Sequence, residues 1–199
     1  IAKERNPQNV LLVNPSLAKG AAIVIRLAMM LEEERPDIKF EVVQSRGNWE
    51  ALVRQVTKKF GKERSSLSNV IVTPNTRDMR PIYGRAKVLL ALSLWWESFG
   101  RVAAEAAMNG IPVIATDRGG LKEASGQNAH LITLPKIYYE PPYTKLPTND
   151  DLQPIEQKLL EIHKNPAYSQ PINKYQGSEL PHSIGESLQR LNQALNNIT

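Results

Sequence analysis

Short apolar runs alternate with helix-like segments along the first two thirds of this chain, and this alternation constrains its fold more than any other feature. The runs have the length of strands, whereas the segments between them repeat apolar residues every three to four positions, as helices do. We predict strands at 9–14, 39–44, 70–73, 87–92, 112–116 and 130–134. Helices are predicted at 20–36, 48–60, 79–85, 101–109 and 121–125. This order favours an α/β fold, a doubly wound Rossmann-like parallel sheet of about six strands, with its ligand crevice at the carboxyl ends of the strands.

The chain is long enough for one such core and shows no internal repeat. Its 199 residues are 41% hydrophobic, which suits a single domain. We assign 9–134 to the α/β core, 135–150 to a proline- and tyrosine-rich loop, and 151–199 to C-terminal helices at 151–163 and 183–196. The loop is either a lid or acceptor-side wall, or a surface loop pinned by Tyr138, Tyr139 and Tyr143.

Composition limits the classes of function. Cysteine is absent, so neither a disulfide framework nor a thiolate metal site is available, and a cytoplasmic location is expected. No apolar run approaches the roughly 20 residues of a transmembrane helix, and the N-terminus lacks the profile of a signal peptide. The net charge of +5 favours an anionic ligand such as a nucleotide diphosphate, or peripheral contact with an anionic membrane. Because the basic residues form no dense stripe with aromatic residues, no nucleic-acid partner is expected.

Two carboxylates, Glu97 and Glu105, flank a predicted strand-to-helix turn. The helix begins after Gly100, and its first backbone N–H groups and the positive end of its dipole suit a phosphate. Glu105 lies about one turn inside the helix, with its side chain leaning back toward the N-terminus. Both carboxylates are therefore expected to face one ligand. Taken alone, either glutamate is better explained as a solvated charge on a βαβ crossover.

The surrounding residues carry a family resemblance. Glu97-Ser-Phe-Gly, followed by Glu105-Ala-Ala-Met-Asn-Gly-Ile-Pro-Val-Ile-Ala-Thr-Asp-Arg-Gly-Gly-Leu-Lys-Glu123, resembles the E-x7-E signature and the G-x-P-V-x-A…G-G-x-x-E run of retaining glycosyltransferases of family 4, or glycosyl transferase group 1. The similarity covers roughly residues 9 to 134. It implies the C-terminal, donor-binding half of a GT-B enzyme, which transfers a hexosyl unit from a nucleotide diphosphate sugar to an unknown glycan or lipid acceptor. No cofactor and no metal are implied.

The resemblance also implies a missing partner, an N-terminal domain of the same polypeptide. Residues 1–8 would then be the linker from it, and the first residue, Ile1, agrees with a fragment of a longer chain. Acceptor binding belongs to that other domain, so the isolated domain is expected to bind donor without transferring it. Part of the apolar face of the terminal helices is expected to be exposed without that domain.

Site roles follow from the same resemblance, position by position. Glu97 would hold hydroxyls of the donor sugar, and Glu105 the two ribose hydroxyls. Ser98 and Phe99 would line the sugar pocket through their backbone N–H groups. The backbone N–H groups of Arg101 and Val102, after Gly100, would stabilise the leaving diphosphate, as an oxyanion hole does.

Three positions outside the turn complete the predicted site. Lys19 matches the lysine of the family's G-R-L-x-x-x-K-G loop, whose ammonium meets the diphosphate; Glu97 and Lys19 are thus the predicted catalytic residues. Asn14 stands where that loop usually has arginine, so Arg77, Arg101 or Arg118 would have to supply the charge, or donor binding would be weaker. The nucleotide base would lie against the loop that ends at Arg77. The sequence does not specify the base.

Two other functions are alternatives to the glycosyltransferase. A nucleotide-sugar-binding or interaction domain that has lost catalysis is favoured by Asn14. A dinucleotide oxidoreductase is disfavoured, because no G-x-G-x-x-G follows the first strand. Ser98 is not expected to be a nucleophile, since none of the three histidines stands in a triad-like context.

Overall fold

A computed structural model describes residues 2–45, 47–126 and 129–169. The strands are β1 (Asn9–Val13), β2 (Phe40–Val43), β3 (Val70–Thr73), β4 (Ala86–Ala91), β5 (Val113–Thr116) and β6 (Ala129–Ile132). The helices are α1 (Ala21–Glu34), α2 (Trp49–Lys58), α3 (Arg80–Arg85), α4 (Arg101–Met108), α5 (Leu121–Ser125) and α6 (Asn149–Lys164), with 3₁₀ turns at Leu17–Lys19, Lys136–Tyr139 and Pro166–Ser169. The predicted helix at 183–196 lies outside the described residues.

The strands form one parallel sheet in the order β3-β2-β1-β4-β5-β6. The first three strands run outward in one direction from β1, and the next three run outward in the other direction from β4. The strand order therefore reverses between β1 and β4, and in such sheets ligands bind in the crevice beyond the carboxyl ends of the two strands. The predicted doubly wound, Rossmann-like sheet of six strands is confirmed.

Two apolar clusters cover the two faces of the sheet. One joins the sheet to α1, α2 and α6 and contains the buried Phe40, Trp49 and Leu159. The other joins it to α3, α4 and α5 and contains Leu11, Tyr83 and Ala103. Helix α4 belongs to this second cluster and begins at the crevice. The packing of the cluster therefore fixes the position of the helix start.

Helix α6 is one of the two terminal helices whose apolar face was expected to be partly exposed. Four of its apolar residues are fully buried, Leu152, Ile155, Leu159 and Ile162, whereas Leu160 is partly buried. They pack in the cluster with α1 and the sheet, because their three- and four-residue spacing places them on one face of the helix. The face of α6 that carries these four residues is therefore not exposed, contrary to expectation, and the second predicted terminal helix lies outside the described residues.

The segment between β6 and α6 is attached to the core by its tyrosines. Tyr138 is buried, and its hydroxyl donates to Oδ2 of Asp151 at 2.5 Å. The Leu134 N–H donates to the Tyr139 hydroxyl at 3.1 Å, and Tyr143 packs against the core. Of the two sequence interpretations, these contacts favour a surface loop pinned by aromatic residues.

The first residues of the chain lie against the start of β4 and the residue that follows α4. The Ala2 N–H donates to Oδ1 of Asn109 at 2.7 Å. Arg5 donates to the carbonyl of Asn109 at 2.7 Å and to that of Ala86 at 3.0 Å. These bonds attach the N-terminal segment beside the end of α4, and its role as a linker stays a prediction.

Candidate functional site

A cavity of about 380 Å³ lies in the crevice between β1 and β4. Its walls come from the segment after β1, from the segment after β4 and from the first turn of α4. They contain eight of the ten predicted site residues: Asn14, Lys19, Glu97, Ser98, Phe99, Gly100, Arg101 and Val102. These residues are up to 88 positions apart in the sequence (102 − 14), and the strand order brings them together.

The start of α4 is shaped to present backbone N–H groups to this cavity. The first bonds of the helix run from the N–H groups of Ala103 and Ala104 to the Gly100 carbonyl, at 2.9 and 3.2 Å. The N–H groups of Arg101 and Val102 precede them and have no intrahelical acceptor. Both residues line the cavity. The helix dipole adds partial positive charge here, so the cavity is suited to an anion.

Gly100 is required at this turn for two reasons. Its φ is +89°, in the left-handed region that side chains rarely adopt. A Cβ at this position would also lie 2.7 Å from Cδ2 of Leu121 on α5. The glycine therefore allows the chain to enter α4 while α5 packs directly against the turn.

Glu97 is a buried, ionised carboxylate. It is 8% exposed and forms an ion pair with Lys19, and the Ser93 hydroxyl donates to its Oε1 at 2.6 Å. Burial by itself would raise the pKa of Glu97, but hydrogen bonds from Lys19, Ser93 and Trp95 outweigh it, and the pKa is lowered. An ionised carboxylate accepts hydrogen bonds and cannot donate a proton at neutral pH. Glu97 is thus suited to binding hydroxyls and not to general acid catalysis.

The backbone around Glu97 rests on two glycines that precede α5. The Gly120 N–H donates to the Glu97 carbonyl at 2.8 Å. A Cβ on Gly119, whose φ is +58°, would lie 1.9 Å from that carbonyl oxygen. A Cβ on Gly120 would lie 2.7 Å from the Ser98 carbonyl oxygen. The two glycines therefore let the turn before α5 pack against the backbone of Glu97 and Ser98.

Glu105 and Arg77 line a second depression, of about 410 Å³, which also borders α3. The Tyr83 hydroxyl donates to Oε2 of Glu105 at 2.6 Å. Nε of Arg101 lies 3.6 Å from the other oxygen, Oε1. Arg101 also lines the first cavity, so this residue in the first turn of α4 borders one depression and contacts the carboxylate of the other. Glu97 and Glu105 thus occupy neighbouring compartments and not a single one.

Asn14 and the arginines that could replace the missing positive charge differ in their surroundings. Asn14, at the family's arginine position, has a φ of +58°, and its Oδ1 accepts from the Ser45 hydroxyl at 2.7 Å. The Arg101 side chain is 85% exposed and lines the cavity. The Arg118 guanidinium lies over the rings of Trp96 and Tyr139, at 5.3 and 4.5 Å from their centroids. Of the three candidate arginines, Arg101 is therefore the one on the wall beside Asn14.

A buried carboxylate outside the predicted site anchors the segment carrying Arg77. Glu41 on β2 is fully buried and accepts hydrogen bonds from three partners. They are Thr73 at the end of β3 (2.7 Å), Arg85 at the end of α3 (2.5 and 2.8 Å) and Asn9 (3.0 Å). Burial would raise the pKa of Glu41, but these donors lower it. The cluster ties both ends of the 74–84 segment to the sheet.

Ser93 and Tyr83 were also missed, although each holds one of the two predicted carboxylates. For Ser93 a signal existed, because it is the first polar side chain after the apolar run of β4, at the crevice edge. No sequence signal identified Tyr83, since its partner Glu105 lies 22 positions away on another helix.

Within residues 2–45, 47–126 and 129–169, no group of three or more His, Asp or Glu side chains is placed to hold a metal ion. Over the same ranges, no helix combines the length and the hydropathy needed to cross a bilayer.

Comparisons with known proteins identify the family. The sequence profile of "Glycosyl transferases group 1" matches residues 3–136. Among curated relatives, the D-inositol 3-phosphate glycosyltransferase of Pseudarthrobacter chlorophenolicus is 31% identical over 111 residues, which cover 53% of this chain and 25% of that protein. The chain spans about a quarter of the length of that relative.

Solved structures show the same fold. The pneumococcal O-GlcNAc transferase GtfA, crystallised in complex with UDP and GlcNAc, superposes with a TM-score of 0.63 at 20% identity, covering 98% of this chain and 37% of that one. The C-terminal domain of a group 1 family glycosyl transferase (LpcC) from Francisella tularensis gives a TM-score of 0.55 at 19% identity, covering 83% and 80%. Because the family profile spans more than half of the sequence, the chain belongs to the group 1 glycosyl transferases, with the GT-B type of Rossmann-like fold.

Proposed function

We propose that the chain is the donor-binding C-terminal half of a retaining glycosyltransferase of family 4, which transfers a hexosyl unit from a nucleotide diphosphate sugar. One observation carries this proposal: Lys19, Glu97 and the N-terminus of α4 line one cavity, and Glu105 lines the adjoining depression. An anion-binding helix start between two carboxylates matches a ligand that has hydroxyls on both sides of a diphosphate.

The first cavity is proposed to hold the donor sugar and the diphosphate. Glu97 accepts hydrogen bonds from sugar hydroxyls, and the backbone of Ser98 and Phe99 lines the pocket. When the bond from the anomeric carbon to the diphosphate breaks, the negative charge on the leaving group is stabilised by the N–H groups of Arg101 and Val102 and by the Lys19 ammonium. This role requires Lys19 to share its charge between Glu97 and the phosphate.

The second depression is proposed to hold the nucleoside. Glu105 accepts the ribose hydroxyls, and the base lies against the segment ending at Arg77, which the Glu41 cluster ties to the sheet. The UDP present in the pneumococcal relative makes UDP the first nucleotide to test. GDP and ADP are the alternatives.

The acceptor is proposed to be a glycan or a lipid, bound by an N-terminal domain of the same polypeptide. Positioning an acceptor against the donor contributes about 7–11 kcal/mol to lowering a barrier. The isolated chain is therefore expected to bind donor and to show essentially no transfer. A cytoplasmic site of action, with peripheral contact to an anionic membrane, agrees with the absence of cysteine and the net charge of +5.

Calorimetric titration of the 199-residue chain with UDP, GDP, ADP and NAD tests this proposal. We expect one nucleoside diphosphate to bind selectively, with a Kd between about 1 μM and 1 mM. Glu105→Ala should weaken that binding about tenfold or more, because hydrogen bonds to a charged group contribute about 1.5–3 kcal/mol. The control is Glu161→Ala on α6, whose 61%-exposed carboxylate pairs with Lys158 and lines neither cavity. Unchanged affinity in Glu105→Ala would exclude the ribose assignment, and preferential binding of NAD would exclude the family's donor class.

A second candidate function is a nucleotide-sugar-binding or interaction domain without catalysis. It is favoured by Asn14, which replaces a cationic contact with a neutral side chain bonded to Ser45. Assay of the full-length polypeptide separates the two functions. Donor hydrolysis or transfer supports the enzyme, whereas donor binding without turnover supports the binding domain.

A further inference from the structure

Tyr83 connects the helix that precedes β4 to the carboxylate in the second depression. Its hydroxyl donates to Oε2 of Glu105 at 2.6 Å, and Nε of Arg101 lies 3.6 Å from Oε1. Each oxygen of the carboxylate therefore has a neighbour on a different side, one from α3 and one from the first turn of α4. This arrangement limits the orientations that the Glu105 side chain can adopt.

The tyrosine is itself held firmly. It is 4% exposed and belongs to the apolar cluster that packs α3, α4 and α5 against the sheet. Burial, followed by the hydrogen bond to Glu105, raises the pKa of Tyr83 above its ordinary value, so it remains a neutral donor throughout the physiological range. Glu105 thus accepts a hydrogen bond from a neutral hydroxyl whose ring is packed in the core.

The contact with Tyr83 leaves part of the Glu105 carboxylate available to accept hydrogen bonds from a ligand. A carboxylate offers about four lone-pair positions. Tyr83 occupies one and Arg101 approaches another, so two positions remain, which is the number that two adjacent ribose hydroxyls require. Without the tyrosine hydroxyl, Glu105 could turn toward Arg101 or solvent, and ordering it again on binding would cost side-chain entropy.

We propose that Tyr83 is a positioning residue for ribose recognition, whose hydroxyl fixes the Glu105 carboxylate in the orientation that accepts both ribose hydroxyls. This inference rests on the proposed function, because it assumes that Glu105 meets a ribose. It goes further in assigning discrimination between ribose and deoxyribose to a residue that need not touch the nucleotide.

The test compares UDP with 2′-deoxy-UDP by calorimetry in the wild-type chain and in Tyr83→Phe; the GDP and ADP pairs are titrated in parallel. We expect the wild type to bind the ribonucleotide at least about tenfold more tightly than its deoxy counterpart, as one hydrogen bond to a charged group predicts. In Tyr83→Phe this ratio should fall to about threefold or less. In a Glu105→Gln background, the same tyrosine change should leave the ratio as it is in Glu105→Gln alone.

Tyr138→Phe is the matched control. Tyr138 is also buried, and its hydroxyl donates to a carboxylate, Asp151, at 2.5 Å, but it lies in the loop between β6 and α6. We expect this variant to lose a similar amount of thermal stability and to keep the wild-type ratio. The control therefore separates a general loss of stability from a loss of discrimination.

Each other outcome overturns the inference. Equal weakening of UDP and 2′-deoxy-UDP in Tyr83→Phe, which leaves their ratio unchanged, would mean that Tyr83 only supports the fold. A wild-type chain that binds UDP, GDP or ADP without preferring ribose would show that Glu105 does not read the ribose. If the wild-type chain binds none of the three, the proposed function fails as well.

Discussion

Replacing Lys19 with methionine removes the charged partner of a buried carboxylate and leaves a side chain of similar length. The Lys19 side chain is 30% exposed and that of Glu97 is 10% exposed. A hydrogen bond between charged groups contributes about 1.5–3 kcal/mol, and the partial exposure of Lys19 places the expected loss near 1.5–2 kcal/mol, because water can replace part of the contact. The Ser93 hydroxyl, at 2.6 Å, remains as a donor and limits the loss.

Urea unfolding at pH 7 measures this loss as a shift in midpoint at constant slope. Lys58→Met serves as the control, since its ammonium lies 3.9 Å from Glu63 and the two side chains are 75% and 52% exposed. Such exposed pairs contribute about 0–1 kcal/mol, so Lys58→Met should unfold close to the wild type.

The loss in Lys19→Met should also depend on pH. In the wild type the pKa of Glu97 is below its ordinary value of 4.5, so the paired carboxylate contributes stability that is present above pH 4.5 and is lost as the pH falls through the folded pKa. Without Lys19, only the hydrogen bonds from Ser93 and Trp95 oppose the effect of burial, so the pKa of this carboxyl is higher than in the wild type and the group gains a proton more readily. The difference between wild type and variant should therefore be largest at pH 7 and should shrink below pH 4.5. Equal stability at pH 7, or a difference that persists unchanged in acid, would refute the ion pair as a stabilising contact.

Two other substitutions test how the site is supported. Gly119→Ala should destabilise the fold by at least about 2 kcal/mol and abolish nucleotide binding, because its Cβ would lie 1.9 Å from the Glu97 carbonyl oxygen. Gly61→Ala is the control, since Gly61 has a similar φ of +72° but open space around it. It should cost only about 1 kcal/mol in urea unfolding. Similar losses in the two would mean that backbone strain alone matters. Glu41→Gln should lower the free energy of unfolding by about 1.5–3 kcal/mol, because it leaves Arg85 without its charged partner. It should also weaken nucleotide binding by loosening the segment before α3. Unchanged affinity together with this loss of stability would mean that Glu41 supports the fold and not the site.

The sheet could be predicted from the sequence because its strands are locally marked. The run at 70–73 has the same bounds in the structure, and the other strands begin or end within about two residues of their predicted limits. The apolar face of α6 was visible as a periodic pattern, but its burial was not, because the pattern does not tell which surface it meets.

The polar contacts that hold the site could not be predicted in the same way. Glu41 stands inside an apolar strand, and its partners lie 32 and 44 positions away, so only the strand order shows that the charge is paired. Tyr83 and Glu105 belong to helices on either side of β4, and the resemblance named one of them without the other. Motif positions were thus identified from sequence, whereas the residues that orient them depended on the tertiary fold.

A crystal structure of the chain with UDP bound, or with GDP or ADP if titration selects one of them, tests the central claim most directly. The proposed site predicts the β-phosphate within hydrogen-bond distance of the N–H groups of Arg101 and Val102 and of the Lys19 ammonium, with both ribose hydroxyls on Glu105. A nucleotide seated away from the start of α4, or one whose ribose does not meet Glu105, would contradict it.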